Sequence, residues 1–186
     1  MQHNVYLDEI RAWSKHALEK PLEYFNNLPP CPYAEKAWED KRVDCVIKDT
    51  DNKQVLYTTV SQFPNNLDIV LIVDKKYEKS AKDFHDYLDA MNVAISRGMF
   101  IDKDIWVMGF HPDDEASEYV DDANFCHLTE ESYAIIFVQR LTKLHESADK
   151  LKKRGYYKIY SKEYNADAIF KLRETLYRRL KDGNET

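Results

Sequence analysis

The run Leu67-Asp68-Ile69-Val70-Leu71-Ile72-Val73 limits the architecture more than any other stretch of the chain. It is short, apolar, rich in β-branched residues and bounded upstream by Pro64-Asn65-Asn66, which reads as a strand buried on both faces. The segments around it carry a different period. Tyr6, Ile10, Trp13 and Ala17 recur at spacings of four, three and four, the signature of one helix face, with Asn4 as its N-cap. Pro21 ends that helix or opens a short second one through Leu22 and Phe25. A helical turn over Tyr33 to Trp38 follows Cys31. Val55 to Val60 forms a helix, and Ser80 caps another in which Phe84, Leu88, Met91 and Ile95 point inward until Gly98 stops it.

Two weaker strands are expected at Val43–Ile47 and Ile105–Met108. Tyr133 to Val138 has the composition of a strand, yet Tyr133, Phe137, Leu141, Leu144, Ala148 and Leu151 keep a helical period. With Thr129 as N-cap and Glu130 and Glu131 at the positive end, the pattern predicts one long helix to about Arg154. Tyr156 to Tyr160 would be a short edge strand, and Asn165 would cap a last helix with Ile169, Leu172, Leu176 and Leu180 inward. Alternation of this kind predicts one α/β domain over residues 1–186. Its sheet would be small, three- to four-stranded, parallel or mixed, with helices packed on it. A ferredoxin-like arrangement is the alternative, and residues 156–186 form a C-terminal strand and helix extension.

Composition then removes several functions. The four glycines, Gly98, Gly109, Gly155 and Gly183, fit neither of the common phosphate-binding loops nor the esterase nucleophile elbow. The three cysteines, Cys31, Cys45 and Cys126, form no Cys-x-x-Cys pair, so neither a zinc knuckle nor a dithiol couple is encoded locally. A net charge of -6 argues against nucleic acid as a partner. No window approaches the roughly 20 apolar residues of a membrane span. Met1-Gln2-His3-Asn4 has no leader character, so a cytoplasmic protein is expected.

If the three strands are parallel, Asp49, Asp74 and His111 end them at one edge, where open α/β sheets take ligands. His111 is followed by Asp113 and Asp114, with Asp121, Asp122 and His127 on the same acidic loop. One imidazole among carboxylates suits Fe(II), Mn(II) or Zn(II), and His111, Asp113, Asp114 and Asp122 are the candidate ligands. The same groups would also serve as acid–base catalysts without metal. Solvated caps and ordinary His-Pro-Asp turn chemistry are the alternative reading. Cys31-Pro32-Tyr33-Ala34 resembles the single-thiol motif of glutaredoxins and omega-type glutathione transferases, with the cysteine at a helix start. A buried structural cysteine is the alternative there. His16, His85 and His145 lie on expected helices beside charges and read as solvated. Basic residues cluster at Lys150–Arg154 and again at Arg173–Lys181.

In their order, Trp13, Cys31-Pro32-Tyr33-Ala34, Phe110-His111-Pro112-Asp113, Asp121-Asp122 and the pair Tyr133 and Arg140 resemble a family of small bacterial proteins known as a domain of unknown function. The similarity spans about the first three quarters of the chain. It departs where the family carries Asn-Arg-Ser-Pro-Tyr-Pro and a later histidine, here Phe137. What the resemblance implies is that Cys31, His111, Asp113 and Arg140 converge. On that basis the expected function is a small enzyme acting on an anionic small molecule. His111 and the carboxylates would hold a divalent metal or move protons, and Arg140 would hold the anion. The rivals are a binding or regulatory protein using the acidic 112–128 loop or the basic helix end to meet a protein partner, and a thiol redox protein using Cys31.

Overall fold

The computed structural model describes residues 5–50, 54–100, 103–114, 132–157 and 166–183. Helix α1 (Val5–Trp13) runs on as a π turn over Ser14–Leu18, and a 3-10 turn follows at Glu23–Phe25. Helix α2 (Pro32–Glu39) leads into β1 (Val43–Lys48), then α3 (Gln54–Ser61), β2 (Ile69–Asp74) and α4 (Ala81–Ser96). Strand β3 (Trp106–Phe110), β4 (Ala134–Gln139), α5 (Leu141–Lys153) and α6 (Ala166–Gly183) complete the order. The four strands form one sheet in the order β1-β2-β4-β3. β1 and β2 are parallel, and β4 is antiparallel to both β2 and β3. β1, β2 and β3 therefore point the same way, and the mixed α/β expectation holds.

Strict alternation on the central strands builds two cores. Val70 and Ile72 of β2, with Ala134, Ile136 and Val138 of β4, face α3 and α4. Ile69, Leu71 and Val73 of β2, with Ile135 of β4, face α1 and α2. Every residue of β2 is buried, as the apolar run Ile69–Val73 requires, and Asp74 at its end is buried with it. A third cluster joins Phe25 and Leu28 to Leu151 and Tyr156, tying the 3-10 turn to the end of α5. On α4, Ser80 caps the first turn by accepting from the Asp83 amide, and Gly98 leaves the last turn at φ 106°, a conformation that favours glycine.

The long helix expected through Tyr133 is corrected. Residues Ala134–Gln139 are β4, and the helix starts only at Leu141. β-branched side chains fill a slot between two strands, and tertiary pairing overrides the accidental helical period. Asp104 replaces a local cap for α5, accepting from the Thr142 amide at 2.7 Å. The expected edge strand at Tyr156–Tyr160 is corrected where it is described: Tyr156 and Tyr157 lie outside any strand, and residues 158–160 lie outside the described residues. The caps assigned to Asn4, Thr129 and Asn165 also fall outside them. Among the described residues no helix is long and apolar enough to cross a membrane.

Candidate functional site

Because β1, β2 and β3 share a direction, their carboxyl ends form one rim, and Asp49, Asp74 and His111 follow or close those ends as expected. The rest of the expected constellation does not assemble there. Arg140 directly follows β4 at the opposite end of the sheet, six residues along the strand register from His111, about 20 Å at the rise of a strand. Its guanidinium is already engaged: Nε donates to the Leu67 carbonyl at 2.8 Å, Nη2 donates to the Pro64 carbonyl at 2.9 Å, and the group lies 5.1 Å over the Phe63 ring. Arg140 ties β4 to the turn before β2 and is not free to grip an anion.

Cys31 is the N-cap residue of α2, half-buried among side chains of the α1 and α2 face. His111 packs on the other face, against Tyr77 and Phe84. Burial raises the Cys31 thiol, and the amides of Ala34 and Tyr33 recover only part of that. Burial thus opposes the thiolate that the redox reading requires. Iodoacetamide at pH 7.5 is expected to label Cys31 several-fold more slowly than glutathione at equal concentration. Faster labelling would restore the reactive-thiol reading.

His111 is buried, with 3% of its surface exposed. Its Nδ1 accepts from the Asp113 amide at 3.1 Å, while Asp114 accepts from the His111 amide at 2.7 Å and pairs with His85 Nε2 at 2.7 Å. This is a side-chain-locked turn that sets the exit of β3. The Asp113 side chain is 81% exposed and 3.8 Å from the ring. Among the described residues no group of three His, Cys, Asp or Glu side chains is placed to hold a metal ion. Asp121, Asp122, Cys126 and His127 lie outside the described residues. His145, expected to be solvated, is buried between α5 and α6, with Nε2 2.9 Å from Glu174 and its ring stacked on Tyr177.

What the rim does hold is a cleft of about 640 Å³ above the ends of β1 and β2, between α3 and α4. Its apolar floor is Leu56, Ile72 and Ile136, and Tyr57, Tyr77 and Tyr87 bring phenol rings from three different segments. Tyr77 is held edge-on to Phe84 at 4.9 Å and to His111 at 5.7 Å, so His111 supports the cleft wall from behind. Burial pushes the Tyr87 hydroxyl up to about 12, and Tyr57, Tyr77 and Asp74 add to the shift. Tyr77 is raised by burial and by Asp83 and Asp74. Both phenols therefore stay protonated near neutral pH and can donate as well as accept.

The polar anchor is Asp74, 3% exposed at the end of the buried strand. Lys48 Nζ, from the last residue of β1, donates to Asp74 Oδ1 at 2.9 Å and to Oδ2 at 2.7 Å, and the Lys76 amide donates to Oδ1 at 3.1 Å. The parallel register sets Lys48 directly beside Asp74, so the pair is a product of strand alignment. Lys76, Glu78 and Lys79 stand at the rim. Among the described residues that line the cleft, three lysines stand against two carboxylates, with Lys76 and Lys79 at the mouth. Sequence reasoning placed Asp74 on the rim but missed Lys48 as its partner, because the pairing depends on a register that only the folded sheet defines.

The opposite end of β2 carries a second buried carboxylate with a structural role. Asp68 accepts from Arg42 at 2.7 Å. Burial alone would raise it, but the Arg42 guanidinium, aided by the Tyr33 hydroxyl, holds it below the usual carboxylate value. A depressed carboxylate stabilises the fold above its unfolded-state value and loses that contribution as pH falls through the folded value. The melting-temperature difference between the natural protein and Arg42→Met is therefore expected to be full at pH 6 and to shrink steadily below about pH 4. A difference that stays constant to pH 2 would disprove the assignment.

No protein-family model matches this chain, no curated protein matches it, and no solved structure matches it.

Proposed function

We propose that this protein binds an anionic small molecule in the cleft at the carboxyl ends of β1 and β2. The observation that carries the reading is the part-buried Lys48–Asp74 pair in a cleft lined by tyrosines, with Lys76 and Lys79 at its described rim. Ligands of open α/β sheets favour this rim, and a volume of 640 Å³ lies within the roughly 300–1,000 Å³ of small-molecule sites. The reading keeps the anionic small molecule expected from the sequence. It moves the recognition groups from Arg140 to Lys76 and Lys79, and from a metal at His111 to the ion pair and phenols. Proton transfer is within the repertoire of Asp74 and the tyrosine hydroxyls, and the same cleft would serve an enzyme or a ligand sensor.

The test is a fluorescence titration with 8-anilinonaphthalene-1-sulfonate, an aromatic anion that brightens in apolar sites. Saturable binding with one site per chain is expected. The exposed pair of substitutions Lys76→Glu and Lys79→Glu should weaken it about tenfold, the loss of one good charge-assisted contact. Binding that does not saturate, or that ignores both substitutions, would remove the proposal.

A further inference from the structure

The ion pair at the cleft floor has hydrogen-bonding capacity left over, and that remainder specifies a ligand edge. An ammonium has three donors, and Lys48 Nζ directs two of them at Asp74. A carboxylate offers about four acceptor positions, two on each oxygen. Among the described residues, Asp74 Oδ1 takes Lys48 and the Lys76 amide, whereas Oδ2 takes Lys48 alone. One donor and one acceptor therefore stand side by side, on two residues that both line the cleft.

Resting on the small-anion reading above, we infer that the ligand is of the mononucleotide class. It carries a heteroaromatic ring with adjacent donor and acceptor groups on its edge, and an anionic group set off from the ring. The ring edge pairs with Lys48 Nζ and Asp74 Oδ2. The ring face lies against the phenols, and the anion reaches Lys76 and Lys79 at the rim. Three tyrosine rings over a floor of Leu56, Ile72 and Ile136 favour a flat aromatic body over a sugar alone, which would need a polar partner for every hydroxyl. A simple aromatic acid would leave the buried donor and acceptor unmatched, at a cost in affinity. Recognition here needs no glycine-rich loop, consistent with the four scattered glycines.

The experiment displaces bound 8-anilinonaphthalene-1-sulfonate with AMP, GMP, CMP and UMP, and with ribose 5-phosphate as the ringless control. At least one mononucleotide is expected to compete with one site per chain and at least tenfold more tightly than ribose 5-phosphate. Tyr57→Ala, at a residue 39% exposed, should weaken that mononucleotide about tenfold and leave ribose 5-phosphate unchanged. Asp74→Asn turns the free acceptor into a donor and should cost the preferred nucleotide at least tenfold. If that variant folds poorly, Tyr57→Ala carries the test alone. Displacement by ribose 5-phosphate as tight as by every mononucleotide would overturn the inference, as would a dye that stays bound against all four. In either case the small-anion reading survives. If the dye itself fails to bind at one site, both fall together.

Discussion

Lys48→Met is expected to lower the unfolding free energy by about 3–5 kcal/mol, measured by urea denaturation at pH 7, because it leaves a buried carboxylate without its counter-charge. Asp74 is 3% exposed, and among the described residues its one partner besides Lys48 is the Lys76 amide. The control is the double substitution Lys48→Met with Asp74→Leu, which removes both charges and should recover most of the loss. A single variant within about 1 kcal/mol of the natural protein would show that water reaches Asp74 freely. The floor of the cleft would then be solvent-like, and the donor–acceptor argument would lose its basis.

Gly109→Ala should cost about 3 kcal/mol, the upper end for overpacking a core, with an unchanged denaturant slope. A Cβ at Gly109 would sit 2.4 Å from Leu88 Cδ1, 2.4 Å from Phe84 Cε1 and 2.6 Å from Phe84 Cζ. Phe84 is fully buried and its ring is wedged against Tyr77 and His111, so it has little room to yield. The same push passes through Phe84 to Tyr77, a wall of the cleft. Weaker dye binding should therefore accompany the lost stability. A stable Gly109→Ala protein with normal binding would show that β3 can shift outward without disturbing α4.

The layered α/β architecture was legible because three signals agreed: the apolar run Ile69–Val73 of β2, the capped helix Ala81–Ser96 and its glycine stop. β4 was misread because its residues satisfy two periods at once, and only pairing with β2 and β3 decides between them. At the site, the shared direction of β1, β2 and β3 sets Asp74 and His111 at one edge, as the strand order in the sequence anticipates. The place of Arg140 was not legible, because the direction of β4 was unknown and an antiparallel strand carries its following residue to the far edge. Lys48 was invisible for a related reason. Residue type alone cannot say which lysine stands next to which aspartate when 26 positions separate them.

The buried Asn92 on α4 has a consequence for how molecules of this protein meet one another. Its amide nitrogen donates to the Val107 carbonyl at 2.8 Å, and its amide oxygen accepts from the Val107 amide at 2.9 Å. The side chain thus imitates the peptide group of a neighbouring strand at the second residue of β3. Helix α4 covers this part of the β3 edge and satisfies its backbone groups, so a second chain finds no open rung at Val107. Exchanging Asn92 for leucine would strand the buried Val107 amide and carbonyl and cost stability before it opened any edge to a neighbour.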